Sequence, residues 1–436
     1  PGSARHAAQL VTDALKLRVL STTTYPILDP HGSTKSYLIE LRTPTPHAGN
    51  PPTQPGTVRT PLNTQRLIVQ FKAQSSNMST TISDALWAVK KVAAMSLARE
   101  ILHNTPFEKA VPDVYAWDDG IGSLGGKAWV IQSAAFGCEP LDQHFHRNKS
   151  EQRDILEQIV ELQGYFQEFG LPRVGKWYGS CGFDAGGRVC AGPVGDGDGD
   201  GEDLDRGSRG PFGSLREMLR AELSAELGKC TDHELIRGWE GKPELRREIN
   251  GFMATRMKGL FREMPGDRAQ FTLNKIELSN FMCDVYGGRI TYIIDWSHAR
   301  ISHPMMEFFN SYQSMFGILP FPLDPHWGIL HRAVLEGFEK EGVEIDLRDL
   351  DELARAKKIK DPVASYRTGR ELYAAFKRAG VFTPRDMPGA RRMAEFRGLC
   401  AAVGGRAVDL CAYERSLEEV YEDMAEVVRG YLRLVG

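Results

Sequence analysis

The chain has 436 residues, 42% of them hydrophobic and 25% charged, with a formal net charge of −3. That length is enough for two or three cores, and the balance is that of a globular protein. No basic excess points to nucleic acid, no like-charge run points to a membrane surface, and no apolar run reaches the ~18 residues of a spanning helix.

Pro1-Gly2-Ser3 reads as a tag remnant, followed by an N-terminal helix up to residue 17 and no signal-peptide pattern. The seven cysteines (138, 181, 190, 230, 283, 400 and 411) are scattered, odd in number and without a C-x-x-C pair. Reduced thiols in a cytoplasmic protein are the expectation.

Ser36–Arg42 alternates polar and apolar residues as a half-buried strand does, and Arg66–Ala73 is a more apolar, central strand. Between them Pro44–Pro61 holds six prolines and two glycines, which predicts a flexible loop. Ile82–Leu102 is a long helix and Lys127–Ala135 a further strand. Ser150–Phe169 is an amphipathic helix with Ile155, Ile159, Leu162 and Phe166 on one face. His144 and His146 lie just past the preceding strand, and a metal is not expected there.

The stretch Gly195–Gly210 has acids spaced like a calcium loop from Asp196, but Gly207 stands where such a loop needs its bidentate Glu. A disordered acidic loop is the reading, dispensable for stability. The rest is helical except for one hairpin: Gln270–Leu273, Asn280–Val285, a Gly287-Gly288 turn, and Arg289–Asp295.

Three segments carry a resemblance: VPDVYAWDD (Val111–Asp119), WYGSCGFDAGGRVCAGPV (Trp177–Val194) and, most specific, FTLNKIELSNFMCDVYGGRITYIIDWSHARISHP (Phe271–Pro304). Together they resemble fungal members of the aminoglycoside phosphotransferase family. The resemblance implies an α+β, two-lobed, protein-kinase-like fold. The small β-rich N-lobe would span 18–134, with the flexible loop at 44–61. The larger helical C-lobe would span 135–436, with the acidic loop at 195–210 and the catalytic-hairpin equivalent at 270–297.

Phosphoryl transfer in that family needs a strand lysine held by a helix glutamate, an Asp that positions the attacking hydroxyl, and an Asn and Asp that hold Mg²⁺. The strand lysine matches Lys72, and the helix glutamate falls on Lys91 in KKVAAM, where two ammonium groups would repel. Counting back from Asn280 places the catalytic Asp on Lys275, with Glu277 as a displaced carboxylate nearby, while Asp295 in IIDW survives. Gly32 alone in DPHGSTKS is a weak phosphate-cradling signal. His298 and His303 follow Asp295 and are weighed for acid/base roles.

The expectation is therefore a kinase-fold protein without phosphotransferase activity, with a small molecule in the interlobe cleft and no cofactor. The cleft would be lined by Lys72, Gln132, Lys275, Glu277, Asn280 and Asp295, with Lys275 paired to Asp295. It would bind a small molecule or catalyse a non-phosphoryl acid/base step (cyclisation, isomerisation or dehydration) in fungal-type specialised metabolism. Two rival readings are an active ATP/Mg²⁺-dependent small-molecule kinase using Glu277 as base, with Asn280 and Asp295 on the metal, and a non-catalytic scaffold.

Overall fold

The computed structural model describes residues 3–25, 34–42, 45, 54–72, 81–120, 127–171, 177–192, 210–231, 233–316, 327–338, 362–405 and 416–435. Gly32 and nearly all of the acidic loop at 195–210 lie outside them. The expected α+β composition, β-rich at the N-terminal end and helical at the C-terminal end, is observed. The chain divides into two compact units: Pro1–Pro211 with Ala269–Ser302, and Phe212–Arg268 with His303–Gly436. This division does not coincide with the expected lobe boundary at 134.

Unit 1 begins with α1 (Ala4–Leu15), whose first turn is capped by the Ser3 hydroxyl accepting from the His6 amide. A five-stranded antiparallel sheet follows, of β1 (Val19–Thr24), β2 (Thr34–Leu41), β3 (Arg66–Lys72), β4 (Val114–Asp118) and β5 (Trp129–Ser133), in the order β1-β2-β3-β5-β4. Side chains alternate across a strand, so Leu67, Val69 and Phe71 of β3 face Ala7 and Val11 of α1. Ile68 of the opposite face packs with Met282, Tyr292 and Ile294. Covered on both sides, β3 is apolar along most of its length, which is why it reads as central.

Helix α2 (Thr81–Ile101) precedes β4; β6 (Cys138–Pro140), α3 (Leu141–Arg147) and α4 (Gln152–Glu168) follow β5. Four further pairings correct the expectation of a single hairpin. β7 (Gly179–Phe183) and β8 (Val189–Gly192) form a hairpin whose turn is built on Asp184, which accepts from the Gly186 and Arg188 amides. β9 (Gln270–Thr272) and β12 (Arg300–Ser302) complete a four-stranded sheet, β8-β7-β12-β9. β10 (Phe281–Asp284) pairs with both β11 (Ile290–Ile293) and β6.

The described second half of the loop at 44–61 makes defined contacts. Gln54 exchanges two hydrogen bonds with the backbone of Trp117, Pro55 accepts from the Trp117 indole, and the Gly56 carbonyl accepts from Arg99. Prolines limit the conformational freedom such a segment loses when it makes these contacts.

Unit 2 is helical among its described residues: α5 (Leu215–Lys229), α6 (Pro243–Gly251), α7 (Met257–Glu263), α8 (Pro304–Asn310), α9 (Gln313–Phe316), α10 (Trp327–Glu336), α11 (Pro362–Ala379), α12 (Ala390–Val403) and α13 (Leu417–Val435). Trp239 stacks on Tyr421 of α13 and donates its indole N–H to the Val403 carbonyl at the end of α12. No described helix is long and apolar enough to cross a membrane.

His303 is not placed for acid/base chemistry. Its Nδ1 accepts from the Met305 amide at 3.1 Å and so caps α8, which requires the neutral ring. Burial and the Arg268 charge push its pKa down to about 4, against the opposing pull of Asp267. The unfolded chain takes up this proton first, so stability is full above pH ~6.5 and falls as pH drops towards 4, by on the order of 3 kcal/mol. Denaturant unfolding measured against pH should show this slope. His303→Asn, which keeps a capping oxygen without a titrating ring, should flatten it. Separately, Gln54→Ala should cost about 1–3 kcal/mol by leaving the Trp117 backbone without partners, measured as a fall in the denaturation midpoint.

Candidate functional site

Gln70 and Lys72 share the β3 face that carries Ile68, two residues apart on a strand of period two. Gln70 is buried and donates to the hydroxyl of its cross-strand partner Ser36 at 3.0 Å. Its amide oxygen accepts from the ammonium of Lys91 on α2. Lys91 is only 2% exposed, and its ammonium also lies over the Trp87 ring, 5.5 Å from the centroid. The strand residue that faces the helix at position 91 is therefore Gln70, not Lys72, which is half-buried at the end of β3. The pair expected to repel is replaced by an amide–ammonium hydrogen bond.

The second half of the site is the loop between β9 and β10. Asn274 takes a left-handed conformation (φ 60°), turning the chain so that the Lys275 carbonyl accepts from the Glu277 amide at 3.1 Å and from Asn280 Nδ2 at 2.7 Å. Asn280 is thereby fixed side-on, while its Oδ1 is buried and accepts no hydrogen bond. Glu277 is buried in the same loop.

Asp295 follows β11. Its Oδ1 accepts from the Ser297 amide at 2.9 Å and the Ser297 hydroxyl at 2.5 Å, a local turn closed on the carboxylate. Its Oδ2 lies 3.8 Å from His298 Nε2, and both side chains are about a fifth exposed. Burial pushes the Asp295 pKa up, but His298, the two Ser297 hydrogen bonds and the charge of Lys91 outweigh it and hold the carboxyl at about 2. Lys275 is not among these groups. The expected Lys275–Asp295 pair is not formed, because the 275–280 loop engages Lys275 through its backbone, and the lysine that acts on Asp295 comes from α2.

Gln132, expected to line an open cleft, is fully buried. Its Nε2 donates to the Tyr292 hydroxyl at 2.8 Å, and that hydroxyl donates to the Ser133 carbonyl at 3.0 Å. Tyr292, Met282 and Ile294 thus close against Ile68 across the space between the five-stranded sheet and the β10–β11 hairpin. Burial drives the Tyr292 phenol pKa up, so this hydroxyl keeps its proton.

No protein-family model matches the chain, and no curated protein matches it significantly. Among solved structures it is similar to the ADP-bound aminoglycoside phosphotransferase APH(2'')-Ib, at 10% identity over 99% of this chain and 98% of that one, with a TM-score of 0.45. It is also similar to APH(2'')-IIa in its streptomycin–ATP complex, at 9% identity over 96% of each chain and a TM-score of 0.44. A provisionally named aminoglycoside phosphotransferase from Ralstonia eutropha JMP134 gives 13% identity over 99% of this chain and 98% of that one, with a TM-score of 0.44.

Of the six expected residues, the hairpin brings Asn280 and Asp295 to adjoining positions, since the Ile294 amide donates to the Asn280 carbonyl. Their oxygens are hard donors of the kind Mg²⁺ takes, but each Asp295 oxygen already has a partner. The space beside Ile68 is filled by Tyr292. Gln70 was missed. The signal was there, a lone amide in an otherwise apolar central strand, since a buried polar group is the informative one. Tyr292 carried no such signal.

Lys91→Met should raise the Asp295 pKa from about 2 towards 3.8. The contribution of Asp295 to stability, full above pH ~3.8 and lost as pH falls towards 2, should shrink accordingly. Lys275→Met should leave the pKa in place. Carboxyl-carbon chemical shifts followed against pH check both.

Proposed function

We propose that this chain is an aminoglycoside-phosphotransferase-like protein that does not transfer phosphoryl groups. Its Asp295 site binds a small molecule or moves a proton on it without ATP, as a cyclisation, isomerisation or dehydration in specialised metabolism requires. The observation that carries this reading is the inverted strand–helix pair. Phosphoryl transfer in kinase-like proteins needs a strand cation anchored by a helix anion, and here a strand amide, Gln70, meets a helix cation, Lys91. Lys275 at the base position adds to it, since losing a positioned base costs about 10²–10⁴ in rate.

A carboxyl held near pKa 2 is a poor proton acceptor at neutral pH. Asp295 therefore acts beside His298, whose Nε2 lies 3.8 Å from its Oδ2, and His298 exchanges the proton with the substrate. His298 and the Ser297 hydrogen bonds, with a further contribution from Lys91, keep Asp295 ionised. One observation favours the metal-dependent alternative: the buried Asn280 Oδ1 accepts no hydrogen bond and is a hard oxygen donor of the kind Mg²⁺ takes.

Calorimetric titration with ATP, with and without Mg²⁺, should show no binding at millimolar nucleotide, and ATP-dependent turnover of any small alcohol would end the proposal. Mass spectrometry of the purified protein should recover a bound metabolite. With that compound as substrate, His298→Gln and Asp295→Asn should each lose about 10²-fold or more in rate, and Lys275→Met should lose little. Full activity in both of the first two variants would place the chemistry elsewhere.

A further inference from the structure

Three potential metal ligands meet away from the residues gathered around Asp295. Glu139 on β6 and Cys283 on β10 are direct cross-strand partners, and His144 follows on α3. One ligand atom from each, the Glu139 oxygen, the His144 nitrogen and the Cys283 sulfur, lie within 4.8 Å of one another. His144 and Cys283 are buried to completion and Glu139 is partly buried.

The histidine is held on both sides. Nδ1 faces Glu139 Oε1 at 2.7 Å and Nε2 faces Glu151 Oε2 at 2.7 Å, with the Asn148 amide beside the ring. Gly288 of the β10–β11 turn presses on the same ring. A Cβ there would lie 2.9 Å from His144 Nε2 and 3.3 Å from Glu151 Oε2, so the turn closes over the histidine only because the residue is glycine.

We propose that Glu139, His144 Nδ1 and Cys283 bind one divalent transition-metal ion of the zinc class, with Glu151 as the carboxylate behind the histidine. Three features carry this. First, an ion with bonds of about 2.0–2.3 Å holds its nitrogen, oxygen and sulfur ligands roughly 3–4 Å apart. That is the scale of this triangle, so side-chain adjustments of an ångström or so close it. Second, a ligating histidine donates its other ring N–H to a carboxylate, and the Glu151 contact already has this form. Third, thiolate, imidazole and one carboxylate select zinc or cobalt over magnesium or calcium.

The charge balances. Without metal, both ring nitrogens carry protons towards their carboxylates and the thiol keeps its own. Entry of M²⁺ releases the Nδ1 proton and the thiol proton, so two positive charges replace two. The Nε2 proton stays on the ring and is donated to Glu151. Arg147, which pairs with Glu139 and is half exposed, turns to solvent. A water completes four-coordination.

The test uses full-length protein freed of metal by chelation and titrated with Co²⁺. The expected result is one Co²⁺ per chain, with the visible bands of tetrahedral cobalt and a thiolate-to-cobalt charge-transfer band, both abolished by added Zn²⁺. Cys283→Ser should lose the charge-transfer band while Cys138→Ser keeps it. Glu151→Gln, at a partly exposed position, should weaken Co²⁺ binding about 10–100-fold. Should Cys283→Ser fail to fold, X-ray absorption of the zinc-loaded natural sequence decides, with one sulfur and otherwise nitrogen and oxygen ligands expected. Absence of stoichiometric Co²⁺ binding, a charge-transfer band that survives Cys283→Ser, or a shell without sulfur would overturn the assignment.

Discussion

An ammonium taken out of water has to be answered by the groups around it, and on α2 that demand falls on Lys91. Gln70 turns its amide oxygen to the lysine and thereby its amide nitrogen to Ser36, which fixes the side chains on this face of β2 and β3. The Trp87 ring covers the ammonium one helical turn back. The same charge reaches Asp295 and helps to keep it ionised against burial. One lysine thus couples a helix, two strands and the end of the hairpin.

The hairpin is tied to the sheet by a second polar contact inside an apolar cluster. The Tyr292 ring packs with Ile68, Met282 and Ile294, and its hydroxyl is satisfied at once by Gln132 and the Ser133 carbonyl. A buried tyrosine needs such partners, and β5 supplies both. The far end of the same hairpin is seated by Gln158, whose side chain donates to the Gly288 carbonyl and accepts from the Ile290 amide. Held at both ends, β10 and β11 place Asn280 and Asp295 on a rigid element, as a site needs.

Elements with a clear period were legible in the sequence. The apolar run of β3, the stripe on α4 and the Gly-Gly turn before β11 each announce their structure locally. The β7–β8 hairpin was not read, because Cys181-Gly182-Phe183 is too short to show alternation and Asp184-Ala185-Gly186-Gly187 was not weighed as a turn. In the proline-rich loop, composition does not show that Gln54 will meet Trp117. At the site, Asn280 and Asp295 could be found by spacing along one hairpin. The partner of Lys91 could not be counted along the chain, because it depends on which of two same-face residues, Gln70 or Lys72, stands opposite α2. The Glu139–His144–Cys283 cluster was hidden for a similar reason. Cys283 comes to Glu139 by strand pairing, and no local pattern joins them.

Unit 1 is drawn from two stretches of chain, and that sets an order on its assembly during synthesis. The five-stranded sheet is complete in the chain by Ser133, but Gln132 and its partner Tyr292 are 160 residues apart. At about 5–20 residues per second the ribosome needs roughly 8–30 s to bridge that distance. Throughout that interval the face bearing Ile68 and Gln132 lacks its hairpin. A nascent chain stalled between Phe212 and Arg268 would present an apolar strand face to chaperones, and its release into a soluble form waits on β10 and β11.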